Sequence, residues 1–118
     1  MEPSFIYEAK GRTLVIHLPR ELDHHNCRNL KYETDLLMAE NYISRILFDF
    51  TGTEFMDSSG IGVIIGRSRK MGYFGGEVYA EHLSGRILKI FKVSGLHTLI
   101  RTSVPNQQKE REGEKHNA

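Results

Sequence analysis

A chain of 118 residues, 39% of them hydrophobic, is long enough for one buried core and too short for two. Its 16 basic and 15 acidic residues leave a formal net charge of +1, which offers no global field to nucleic acid or an anionic membrane. No apolar run approaches the ~18 residues of a membrane span, and Met1-Glu2-Pro3-Ser4 lacks the parts of a signal peptide, so a cytoplasmic protein without membrane insertion or direct nucleic-acid binding is expected.

Residues 5–9 (FIYEA) and 13–18 (TLVIHL) are β-rich runs divided by Lys10-Gly11-Arg12, and they predict an opening hairpin. Residues 19–25 (PRELDHH) read as a charged turn. Cys27, Leu30, Thr34, Leu37, Met38 and Asn41 then recur at helical spacing, which predicts an amphipathic helix over about 26–40. Cys27, the only cysteine, falls on its apolar face as a buried, inert thiol; neither an intrachain disulfide nor a cysteine-rich metal site can form. In residues 45–50 (RILFDF) the unbroken Ile46-Leu47-Phe48 predicts a central strand covered on both faces.

After a loop over 51–57, Ile61, Ile64, Ile65, Ser68 and Met71 predict a second helix that stops near Gly72. Arg67, Arg69 and Lys70 give it a basic end that complements the helix dipole. Gly75-Gly76 turns the chain into a short strand, 77–80 (EVYA). Ser84 is placed to cap a third helix with an apolar face of Ile87, Leu88, Ile90, Phe91 and Val93, ended by Gly95. Residues 96–101 are expected to be extended, and the polar tail 105–118 to be a frayed helix or disordered. Strands alternating with helices predict an α/β layer with a mixed sheet of four to five strands, antiparallel in its opening hairpin and parallel thereafter.

Residues 55–66 (FMDSSGIGVIIG) concentrate the functional signal. Asp57 or Ser58 suffices to cap the second helix, yet two adjacent serines stand there, flanked by Gly60 and Gly62 with Ile61 between them. The free amides and dipole of a helix start tolerate a phosphate, whereas a partner packed on that surface does not. A phosphorylation-controlled binding surface follows, with Ile61, and Ile90 on the third helix, as its apolar contacts. Helix physics leaves Ser58 and Ser59 equivalent.

A nucleophilic triad from Ser58 or Ser59, His24 or His25, and Asp23 or Asp57 lacks a G-x-S-x-G elbow, so no catalytic residue is assigned. His24-His25 has no accompanying ligand set for a metal. Gly60, Gly62 and Gly66 do not complete G-x-G-x-x-G, and no Walker lysine is present, so no cofactor is expected.

The run FMDSSGIGVIIGRSRKMGYFGGEV, with the upstream ELDHH and the later ILKIFKVSGL, resembles the STAS-fold anti-anti-sigma factors, most closely the sporulation antagonists of the anti-sigma F factor. Pro19-Arg20 departs from the aliphatic residue and glycine usual before ELD. The resemblance implies a single STAS domain over 1–104 that binds an anti-sigma factor serine kinase, frees a sigma factor, and is inactivated by phosphorylation and restored by a PP2C-type serine phosphatase. It makes Ser58 the phosphoacceptor, Asp57 its acidic neighbour, residues 59–62 (Ser59, Gly60, Ile61, Gly62) the start of the contacting helix, and Asp23 and His24 a second contact loop. The competing expectation is a STAS scaffold or assembly subunit of a stress-signalling complex without a kinase switch.

Overall fold

The computed structural model describes residues 5–102. The hairpin pairs β1 (Ile6–Lys10) antiparallel with β2 (Thr13–His17), and its turn holds Gly11 at φ 60°, a left-handed conformation that costs glycine no Cβ clash. There follow β3 (Glu21–Leu22), α1 (Cys27–Glu40), β4 (Arg45–Asp49), β5 (Phe55–Met56), α2 (Ser58–Tyr73), β6 (Glu77–Glu81), α3 (Gly85–Ser94), the short α4 (Leu96–Leu99) and β7 (Arg101–Thr102). The main sheet runs β1-β2-β4-β6-β7, antiparallel only at its first pair. This is the mixed α/β sheet that the alternating patterns predict.

Register decides which face is buried. Leu14, Ile46 and Val78 form one row across β2, β4 and β6, and Ile16, Phe48 and Ala80 form another. All are buried, and Leu30 of α1, Ile64 and Met71 of α2, and Ile87 and Phe91 of α3 join them in one core. The expectation that β4 is covered on both faces is corrected: Ile46 and Phe48 are buried, but Leu47 between them is only partly so. Its row-mates on that face are Val15, which is buried, and the partly exposed Tyr79, over whose ring the Arg45 guanidinium lies, 5.3 Å from the centroid. An unbroken apolar run therefore does not require two covering layers.

Four other expectations change. The turn 19–25 and the loop 51–57 contain a second, two-stranded sheet in which β3 and β5 pair in parallel, Glu21 with Phe55 and Leu22 with Met56. Two residues per strand are too few for alternation to be visible in sequence. Residues 96–101, expected to be extended, are mostly α4, because Gly95 at φ 84° ends α3 and lets the next helical turn begin at once. Val93, expected on the apolar face of α3, is 82% exposed. Arg67 is no part of an exposed basic end: it is 3% exposed and donates to Thr34 Oγ1 at 3.2 Å and to the Asp35 carboxylate. Residues 1–4, the tail from Pro105 and the domain boundary at 104 lie outside the described residues. Among the described residues no helix is long and apolar enough to cross a membrane.

Candidate protein-binding site around Ser58

The small β3–β5 sheet brings the ELDHH turn beside the start of α2. Asp57, in extended conformation, is the N-cap: its Oδ1 accepts from the Gly60 amide at 2.9 Å. Its Oδ2 accepts from the His24 amide at 3.2 Å, with His24 Nδ1 3.5 Å away, and its own amide donates to the Leu22 carbonyl at 3.2 Å. The Gly60 amide foremost, then the His24 amide, hold the Asp57 carboxyl below its ordinary pKa. Asp57 thus staples turn to helix. Asp23 organises the turn from within, its carboxylate accepting from the His25 amide at 3.0 Å and its carbonyl from the amides of Asn26 and Cys27. Burial pushes the Cys27 thiol up to about 11, in keeping with the inert thiol expected there.

Asp57 performs the capping, so the serines are left over. Ser58 and Ser59 are both exposed, and among the described residues no hydrogen bond engages either hydroxyl or joins one to His24 or His25. The two glycines beside them have different causes. Gly60 is buried, and a Cβ there would run into the Leu22 carbonyl oxygen; it serves close packing and presents nothing to solvent. Gly62 is exposed and faces open space, leaving bare backbone next to Ile61.

Ser58 and Ile61 of α2 meet Ile90 and Val93 of α3 across a groove of about 420 Å³, which Phe55, Arg86 and Lys89 also line. His24 reaches this place through Asp57 and does not line the groove; Asp23 adjoins it in the turn. A second depression of about 430 Å³ near Asp35, Tyr42 and Phe74 holds neither serine. Sequence reasoning passed over Phe55, Arg86 and Lys89. A signal for two of them existed: 86, 89, 90 and 93 follow helical i, i+3, i+4, i+7 spacing, a face distinct from the buried Ile87 and Phe91.

The molecule is thus a mixed α/β sheet with a capped helix whose start presents two exposed serines, of which Ser58 lines an apolar groove. Residues 4–110 match the STAS domain family, and the chain belongs to it. Its relatives within that family are anti-sigma factor antagonists. It is 33% identical over 84 residues to the anti-sigma F factor antagonist of Lysinibacillus sphaericus, covering 71% of this chain and 72% of that one. It is 30% identical over 87 residues to the anti-sigma F factor antagonist of Paenibacillus polymyxa, covering 74% of each. The structure of the anti-sigma factor antagonist SpoIIAA in its unphosphorylated form matches with a TM-score of 0.75 at 29% identity, covering 91% of this chain and 94% of that one. Bacillus SpoIIAA in the phosphorylated form matches with a TM-score of 0.68 at 29% identity, covering 91% and 97%.

Proposed function

We propose that this chain is a cytoplasmic anti-anti-sigma factor of sporulation that binds an anti-sigma factor serine kinase and thereby frees the sigma factor. Binding requires unmodified Ser58. The kinase transfers the γ-phosphoryl group of ATP to Ser58 Oγ: the Oγ–P bond forms, the bond from that phosphorus to the β–γ bridging oxygen breaks, the hydroxyl proton is released and ADP leaves. A PP2C-type serine phosphatase hydrolyses the phosphoserine and restores binding. The contact surface comprises Asp23, His24, Asp57, Ser58, Ser59, Ile61, Gly62 and Ile90, with Gly60 acting from inside by letting α2 sit against Leu22.

The observation that carries this reading is an exposed Ser58 hydroxyl, without a hydrogen-bond partner among the described residues, at the edge of an apolar groove. A phosphate there adds about −1.5 to −2 charges beside Asp57, which the amides and dipole of α2 tolerate within the fold. A partner seated on Ile61 and Ile90 must instead desolvate that charge, so the complex is lost while the domain stays folded. The similarity to antagonists solved in unphosphorylated and phosphorylated forms supports the same view.

The test is to incubate the purified protein with ATP and the anti-sigma kinase of the same organism, then to map phosphate by peptide mass spectrometry and follow the complex by sizing. One phosphate on Ser58, absent from Ser58→Ala and accompanied by loss of the complex, is expected. No phosphate, or phosphate on Ser59 alone, would overturn the switch.

A further inference from the structure

The groove that holds Ser58 is also lined by two cations without an ion-pair partner among the described residues. Arg86 and Lys89 lie one helical turn apart on α3, both exposed, and both line the groove that holds Ser58. Lys10, Arg20, Arg67, Lys70 and Arg101 each have a carboxylate partner; among the described residues Arg86 and Lys89, like Arg12, Arg28, Lys31, Arg69 and Lys92, have none, and Arg86 and Lys89 are the ones that line the groove with Ser58. Among the described residues the only other charged side chain lining the groove is Asp57, whose oxygens are taken up by the Gly60 and His24 amides. The unmodified groove therefore carries an excess of positive charge beside an exposed hydroxyl.

We infer that Arg86 and Lys89 form an intramolecular receptor for the phosphoryl group on Ser58, a role that rests on Ser58 being the modified residue, as proposed above. The dianion matches two cations in charge, and a guanidinium pairs with two phosphate oxygens at once. Asp57 opposes the pairing by repulsion, His24 engages that carboxylate from the turn, and the first-turn amides of α2 favour it. Drawn to the phosphate, the two side chains cross the groove and cover the apolar surface between Ile61 and Ile90. Modification then closes the docking face as well as charging it, and α3 becomes part of the switch.

The experiment installs phosphoserine at position 58 during translation, so no kinase is needed, and follows its second ionisation by 31P NMR. In the wild-type sequence that pKa should lie about half a unit or more below its value in Arg86→Gln/Lys89→Gln, and should rise toward that value as salt is added. Arg12→Gln/Arg69→Gln, which removes the same charge from two other exposed positions, should keep the wild-type value. Equal pKa values with and without Arg86 and Lys89, or an equal rise in the control, would overturn the receptor. If the double variant does not fold, the salt titration of the wild-type phosphoprotein decides: a salt-independent pKa overturns it. Failure of a kinase to modify Ser58 would undo the proposed function and leave this titration readable.

Discussion

Asp57 does two jobs through two oxygens, capping α2 through Gly60 and holding the ELDHH turn through His24. Asp57→Ala should therefore lower stability by about 1 kcal/mol, measured by urea unfolding. Because the folded carboxyl is held below its ordinary pKa, its contribution is complete above the unfolded value of about 3.9 and is lost as pH falls through the folded one. The glycines on either side of Ile61 separate packing from surface. Gly60→Ala meets the Leu22 carbonyl and should cost about 1–3 kcal/mol, whereas Gly62→Ala, in open helix, should be neutral or stabilise by up to about 1 kcal/mol. Thermal unfolding of the pair checks both signs. At Ser58 itself, Ser58→Ala should bind the kinase and never accept phosphate. Ser58→Asp should fold normally and bind at least about tenfold more weakly in calorimetry.

Between elements, α1 and α2 are held by a buried ionic strap. Arg67, almost wholly buried, donates to Thr34 and Asp35, and Lys70 reaches Asp35 at 2.7 Å from the surface side. Burial pushes the Asp35 carboxyl up, but hydrogen bonds from Lys70 and Arg67 outweigh it and hold the pKa below the usual range. Arg67 Nε has no partner among the described residues, so the guanidinium depends on that one carboxylate for charge. Asp35→Ala should cost about 1–3 kcal/mol in urea, because it strands a buried cation. Arg67→Met, which removes the charge and fills the space, should cost less. This strap also marks a limit of legibility. Helical spacing announced α2, but an arginine reads the same in sequence whether it faces water or, as here, a second helix.

Across the whole molecule, the face of the sheet opposite the core carries its own polar network. His17 binds Asp49 at 2.6 Å through Nδ1 and Glu8 through Nε2, and His82 Nδ1 adds a 2.9 Å contact to Asp49. These contacts cross β1, β2 and β4. The Glu8 hydrogen bond first, then Asp49, raise the His17 pKa against the effect of burial. Burial pushes Asp49 up, but hydrogen bonds from the Thr51 hydroxyl, His82 and His17 bring it down to about 2. The raised His17 stabilises fully below its unfolded value of about 6.5 and loses that contribution as pH rises through the folded value. The depressed Asp49 stabilises fully above about 3.9 and loses its contribution as pH falls toward 2. Both are complete between about pH 4 and 6.5, so the urea midpoint should be highest there, and His17→Gln should flatten its decline on the alkaline side. A midpoint rising steadily from pH 6 to 8 in the wild type would contradict this network.

The helices α1 to α3, the hairpin, a cap at Asp57 or Ser58, the cap at Ser84 and the αL stop at Gly95 could be read from the chain because each depends on residues within a turn or two of one another. The free serines beside a cap were visible for the same reason, while the preference for Ser58 over Ser59 came from likeness to a family. Other features depend on which distant segments meet: the β3–β5 pairing across some 30 residues, the open face beneath Leu47, the burial of Arg67 and the exposure of Val93. So does the groove that joins Ser58 to Arg86 and Lys89. Spacing within one helix places side chains on a face; register between strands and the docking of one helix beside another determine what that face meets, and no local window contains both partners.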